Sequence, residues 1–223
     1  MRIVELLQSL SDGQVQYVLV GGLAVQLHGF LRSTFDIDLV LAMNDENLVR
    51  FIAVAKRYGL VPTIPVPIDS LRNTSQIDQW HREKGMLAFS LREPHIGGSV
   101  VDVLVRPEVP FDRLMANAVA GQLFARQVWI ASIDDLLTMK RIANRPKDQL
   151  DIVARAAIPE HLMLSRLAQS EQMREFFIQM WLQNPALARQ GGIKVQNLLS
   201  PLAVANAVIS PKPLPFPASP SRV

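Results

Sequence analysis

The amino-acid sequence predicts an α/β fold, α+β by stricter naming: a small mixed β-sheet with helices on one face and a helical C-terminal region. Three observations carry this. Short apolar runs rich in β-branched residues, bounded by glycine, proline or polar clusters, recur between Tyr17 and Ile130. Segments between them repeat their apolar residues at helical spacing. Beyond residue 131 the patterns are helical, until proline dominates the end of the chain. The reading divides the chain into a sheet-bearing domain over 1–131, a helical region over 132–200 and a proline-rich tail over 201–223.

The elements follow in order. Ile3, Val4, Leu6, Leu7 and Leu10 recur at helical spacing, and Ser11-Asp12-Gly13 stops that first helix. Tyr17 to Val20 reads as a strand, and Leu23 to His28 as a short helix ended by Gly29. Asp36 to Leu41 is the next strand. Asn44 is the N-cap of a helix through Tyr58, with Glu46 in its first turn and Gly59 after its end. Residues 61–82 read as irregular, because Pro62, Pro65 and Pro67 break long elements and the rest is polar. Met86–Leu91 and Ser99–Val105 read as strands joined by the hairpin-like segment REPHIGG, and Gln127–Ile130 as a further strand. Helices are expected at Ser132–Ala143 and Lys147–Ala157, then near 160–169 and 171–183. Ser132 ahead of Asp134 and Asp135 is a strong helix start. From Ser210 the sequence SPKPLPFPASPSRV can neither pair in a sheet nor continue a helix, so an extended or disordered tail is expected.

Composition narrows the chemistry. Nearly half of the 223 residues are apolar (49%), enough for one large domain or two small ones with a sizeable core. The formal charge is +3, from 23 basic and 20 acidic residues, which permits an anionic ligand without arguing for nucleic-acid binding. The chain has no cysteine, so disulfides, thiolate metal sites and a cysteine nucleophile are excluded. The stretch MRIVELLQSL is too short and too interrupted for a signal peptide, and no apolar window reaches membrane-spanning length. A cytoplasmic protein is the expectation.

One stretch breaks the apolar pattern. LVGGLAVQLHGFLRSTFDIDLVL places Asp36 and Asp38 in an apolar strand pattern. Residues two apart on a strand share a face, so the two carboxylates project together while Ile37 and Leu39 face the other way. Like charges side by side repel, and burying them unpaired is costly. With oxygen ligands only, a hard divalent cation such as Mg²⁺ is the natural partner. A bare D-x-D also fits a solvated strand end; its context favours the site. Gly21-Gly22 closes one strand and opens a helix, a turn that lets a phosphate approach the backbone. It is neither a Walker loop nor a G-x-G-x-x-G fingerprint. Asp102, set between valines in SVVDVLV, is a third carboxylate in a strand pattern. A three-carboxylate cluster of this kind can hold two cations.

Gly21-Gly22, the pair Asp36/Asp38 and Asp102 together resemble the DNA polymerase β-type nucleotidyltransferase superfamily. The phrase VGGLAVQLHGFLRSTFDIDLVL is especially similar to the minimal, MNT-like and AbiEii-like nucleotidyltransferases of prokaryotic toxin–antitoxin systems, as is the later DLLTMKRIANRPKDQLDI. The resemblance spans residues 1–157 by motif placement; 158–223 match no family. It implies a nucleotidyltransferase-type sheet that binds a nucleoside triphosphate with its phosphates over Gly21-Gly22. Asp36 and Asp38 would hold the ion on the triphosphate and share a catalytic one; Asp102 would complete the second site near the acceptor hydroxyl. Two Mg²⁺ ions are implied, with Mn²⁺ as an alternative. The hydroxyl attacks the α-phosphorus in line and pyrophosphate leaves.

Arg32, Lys140 and Lys147 are further candidates for contacting the phosphates, each equally readable as a solvated or packing residue. Asp148 reads as orienting a basic side chain, and His28 as structural. His81 and His95 are placed in loops, and no Ser-His-Asp arrangement follows from spacing. Arg50, Lys56, Arg57, Arg72, Arg82 and Lys84 read as scattered surface charge rather than a patch. The acceptor stays open between a protein hydroxyl, a tRNA 3′ end and a small molecule such as an aminoglycoside. A non-catalytic nucleotide- or partner-binding module is the alternative, and an antitoxin protein is an implied partner.

Overall fold

One shared buried face organises the strands. Tyr17, Leu19, Ile37, Leu39, Phe89, Leu91, Val101 and Val103 are all buried, and each is separated from the next on its strand by one residue. Burying each such side chain contributes about 1.5–3 kcal/mol relative to leaving it in water, which fixes both the strands and their register. The computed structural model describes residues 3–28, 36–95, 98–123, 126–143 and 171–190. The strands are β1 Tyr17–Val20, β2 Ile37–Leu41, β3 Val61–Pro62, β4 Ala88–Arg92, β5 Val100–Leu104, β6 Val119–Leu123 and β7 Arg126–Ile130. They form one seven-stranded sheet in the order β3-β4-β5-β2-β1-β7-β6. β2 is parallel to β5 and β1 to β7; the other neighbouring pairs are antiparallel, so the sheet is mixed.

The helices are α1 Ile3–Asp12, α2 Gly21–Leu27, α3 Asp45–Arg57, α4 Thr74–Lys84, α5 Phe111–Asn117, α6 Ile133–Ala143, α7 Glu171–Gln183 and α8 Pro185–Gln190, with a 3₁₀ turn at Ile68–Arg72. The architecture is α+β, as the sequence predicts. α3 starts where expected: the Asn44 side chain accepts from Asn47 N at 2.9 Å. α6 likewise follows Ser132, whose Oγ accepts from Asp135 N at 3.2 Å. No described helix is long and apolar enough to cross a membrane.

Four expectations are corrected. The strand expected from Asp36 begins at Ile37, leaving Asp36 exposed just before it. The helix expected from Leu23 begins at Gly21, because a positive φ of 66° turns the chain directly from β1 into α2. The irregular stretch 61–82 contains most of α4, capped by Asn73, so His81 lies on a helix rather than in a loop. Only Ile77 and Trp80 of α4 are buried, too few apolar positions to show a helical period. Residues 106–126 hold α5 and β6, for which no element was expected; the glycine inside VAGQL and the short length of FDRLMAN weaken both patterns. The expected helices at Lys147–Ala157 and 160–169, and the tail from Ser210, lie outside the described residues.

The described part of the C-terminal region is bonded to the sheet. Trp181 Nε1 donates to Leu27 O at 3.2 Å. Asn184 presents its amide to the outer edge of β6, accepting from Gln122 N at 2.7 Å and donating to Gln122 O at 2.9 Å. One side chain thus occupies a backbone donor and acceptor that an open sheet edge would expose.

Candidate active site

The two faces of the sheet differ in chemistry. On one face Ile37, Leu39, Val101 and Val103 are all buried. The opposite face carries a row fixed by register: Val20 pairs with Asp38, Asp38 with Asp102, and Asp102 with Ser90. Paired residues share a face, so both carboxylates project on one side from neighbouring parallel strands. Strands lie about 4.8 Å apart. Two ionised carboxylates about 5 Å apart repel by roughly 3 kcal/mol at an effective dielectric near 20, and less where solvent reaches them. The fold therefore brings together Asp38 and Asp102, which lie 64 positions apart in sequence (102 − 38).

Gly21 closes the site against Asp38. A Cβ built on Gly21 would overlap the Asp38 carboxylate, and the positive φ of Gly21 separately disfavours any side chain. The glycine that sequence reading assigned to phosphate approach is thus also the residue that admits the Asp38 carboxylate. Gly22, the next residue, is buried in α2.

Asp102 is half-buried, and its Oδ1 is buried with no hydrogen-bond partner among the described residues. An unpaired buried acceptor costs about 1–3 kcal/mol, a cost that a cation or a donor at this oxygen would relieve. The oxygen-only donor set of Asp38 and Asp102 and this orphaned atom fit a hard divalent cation. Among the described residues no group of three His, Asp or Glu side chains is arranged to hold a metal ion. Mg²⁺ needs no such group, because it commonly takes one or two carboxylates and completes its shell with waters and substrate phosphates.

The remaining candidates are placed as follows. Lys140 is buried on α6, which packs against α2. Arg32 and Lys147, with Asp148, lie outside the described residues. His28 is structural: it is buried and its Nε2 lies 2.7 Å from Ala131 O. His81 Nδ1 lies 2.8 Å from Met86 O, holding the turn after α4. Of the six basic residues between the D-x-D strand and the central hairpin, Arg50, Lys56 and Arg72 are each paired, to Glu46, Asp69 and Asp45. That supports scattered charge over a continuous basic patch.

Sequence reading passed over Ser90 and Arg92, which lie on the same face as Asp102. Their signal was the alternation of LAFSLR itself: Phe89 and Leu91 are large and buried, while Ala88, Ser90 and Arg92 on either side of them are not. It also passed over the network around Asp135. That carboxylate is 1% exposed and accepts from Arg113 Nε at 3.1 Å, Asn117 Nδ2 at 2.9 Å and Ser132 Oγ at 2.9 Å, tying α5 to the start of α6.

No family model matches the chain, and no curated protein matches it significantly. Among solved structures, an antigenic nucleotidyltransferase-like protein from Paracoccidioides brasiliensis is similar to it, at 20% identity and a TM-score of 0.41, covering 86% of this chain and 91% of that one.

Proposed function

We propose that this chain is a Mg²⁺-dependent nucleotidyltransferase, moving a nucleoside monophosphate from a triphosphate to an acceptor hydroxyl. One observation carries the reading: Asp38 and Asp102 stand in register on adjacent parallel strands, with Asp38 seated against the Gly21 turn. This is the arrangement of glycine turn, D-x-D and distant aspartate that the sequence resemblance implies.

Asp38 and Asp102 would hold the ion, with the exposed Asp36 at the mouth of the site. Bound there, Mg²⁺ would neutralise the phosphates and polarise the α-phosphoryl group. The Gly21-Gly22 backbone would take the triphosphate side. Arg32, Lys140 and Lys147 are the basic candidates for its charge. Asp102 would also accept the proton of the acceptor hydroxyl. The acceptor oxygen bonds to the α-phosphorus, the bond from that phosphorus to the β-phosphate bridging oxygen breaks, and pyrophosphate leaves. Most of the rate would come from positioning and charge neutralisation.

The toxin-like resemblance favours a macromolecular acceptor, protein or tRNA, and an antitoxin partner; a small-molecule acceptor such as an aminoglycoside is the narrower option. A nucleotide-binding module without turnover is a second reading, since among the described residues no three carboxylates are grouped to hold a metal ion. Incubating the protein with Mg²⁺, each α-labelled triphosphate and a cell lysate separates the two. Label should enter one macromolecular fraction and vanish with Asp36→Asn/Asp38→Asn. Equal labelling by that double variant would end the enzymatic reading.

A further inference from the structure

The half-open face of the sheet is not open evenly. Along the acid-bearing row Val20 is fully buried, whereas Asp38, Asp102 and Ser90 are half-buried. In the next row, Val18 and Val40 are buried, whereas Leu104 and Ala88 are not. Exposure therefore rises from β1 towards β4. The Gly21 turn lies on the closed side.

Strand directions add a second constraint. β1 ends at Val20, β2 runs back from Ile37, β5 runs parallel to β2 from Val100, and β4 ends at Arg92. Arg92 therefore lies at the same end of the sheet as Gly21 and Asp36, two strands beyond Asp38. It is exposed, it shares the face of Asp102, and it is the only basic residue on that face of the described strands. Its side chain makes only a 3.5 Å contact, from Nη1 to Glu93 O, among the described residues.

Ser90 faces Asp102 across a non-hydrogen-bonded pair. Glu93 N bonds Ser99 O and Val105 N bonds Leu87 O, while Ser90 O is taken by Thr63 N on the other side. The alternation of an antiparallel ladder then puts Ser90 and Asp102 in the closer class, where side chains sit against one another. Ser90 is thus the small side chain that stands against Asp102 from β4.

We infer that the acceptor enters over β4, with Ser90 as the residue it crosses to reach Asp102 and Arg92 as a contact for an oxyanion beside its hydroxyl. This rests on the nucleotidyl-transfer reading and adds the acceptor side to it. The nucleotide occupies the Gly21 side and the acceptor the Ser90 side, which keeps attacking and leaving groups on opposite flanks of the α-phosphorus.

The absence of cysteine from the chain makes the test clean. In Ser90→Cys the new thiol is unique, and a maleimide–biotin attached to it stands in the proposed path. The folded variant should take one label. Labelled protein should bind Mg²⁺–ATP within about 2-fold of the unlabelled variant in calorimetry, yet transfer label to the lysate fraction at least about 10-fold more slowly. Loss of transfer by the unlabelled variant, with Mg²⁺–ATP binding kept, would support the same assignment. An unreactive thiol, equal transfer after labelling, or loss of Mg²⁺–ATP binding would each overturn it. Arg92→Gln should raise the half-saturating amount of lysate acceptor about 10-fold with the maximal rate changed less; a fall in maximal rate alone would remove Arg92 from the subsite. Nuclease or protease sensitivity of the labelled product tells an RNA acceptor from a protein one. If the parent binds Mg²⁺–ATP but labels nothing, the transfer reading itself has failed, and the acceptor path falls with it.

Discussion

Asp135 and Asp102 both place a carboxylate oxygen inside the fold, and their surroundings are opposite. Asp135 is met by Arg113, Asn117 and Ser132, so its oxygens are satisfied where they stand. Asp102 has a buried oxygen with no donor among the described residues, and its neighbour in register is another aspartate. A structural acid comes with its donors; an acid that awaits a ligand does not. The contrast separates the two roles more sharply than burial does, since the more buried of the two is the structural one.

The largest effects should fall on activity at the Asp38–Asp102 pair. Asp38→Asn or Asp102→Asn should lower nucleotidyl transfer at least about 100-fold, near 3 kcal/mol of transition-state stabilisation. Because Asp102→Asn also relieves like-charge repulsion, its melting temperature should match or exceed the parent's. A large drop in stability would mean that Asp102 is a structural acid after all. Asp135→Ala should show the reverse pattern, with stability falling by about 2–3 kcal/mol as buried donors lose their acceptor. Urea denaturation followed by circular dichroism reads this directly.

Gly21→Ala should come next. A left-handed backbone costs a non-glycine residue about 1–2 kcal/mol, and the added methyl must displace the Asp38 carboxylate. Both stability and Mg²⁺–ATP affinity should fall together. A variant with parental affinity would show that the Asp38–Gly21 contact does not set the site.

How much of this was legible in the sequence follows from which physical signal each feature leaves. β1, α3, α6 and α7 carry strong local patterns, and the structure places them within a residue or two of expectation. Asp38 and Asp102 stood out because each interrupts an apolar alternation, a cost that a sequence rarely carries without a reason. Their register did not, since pairing β2 with β5 is a long-range event that neither strand encodes alone. Ser90 left almost no trace: a serine between Phe89 and Leu91 is an ordinary outward residue until Asp102 is known to stand opposite. α4 was hidden by the polarity of its exposed face.

A smaller effect is expected in the core. Tyr17 is buried on β1, and its hydroxyl finds no partner among the described residues. Burial pushes the phenol pKa well up, so it stays protonated. Tyr17→Phe removes an unsatisfied polar atom and should be neutral or stabilising by up to about 1 kcal/mol. A clear loss of stability in chemical denaturation would reveal a hidden partner for that hydroxyl.

The smallest effects belong to carboxylates that differ from both Asp135 and Asp102 in being paired yet open to water. Asp12 accepts from Arg126 at 2.7 and 3.1 Å, Asp45 from Arg72 at 2.7 and 2.9 Å, and Asp69 from Lys56 at 2.8 Å. In each case the hydrogen bond from the basic partner holds the carboxyl below its ordinary value of 3.8. The folded state therefore binds these protons less readily than the unfolded chain. The resulting stabilisation is complete above the ordinary value and is lost as pH falls through the lower folded-state values. Because solvent and salt screen such pairs, the loss should be shallow and should shrink further at high ionic strength. Denaturation midpoints measured between neutral pH and the acid limb, at low and high salt, should converge as the pairs are screened. A steep, salt-independent acid transition would instead point to a buried acid.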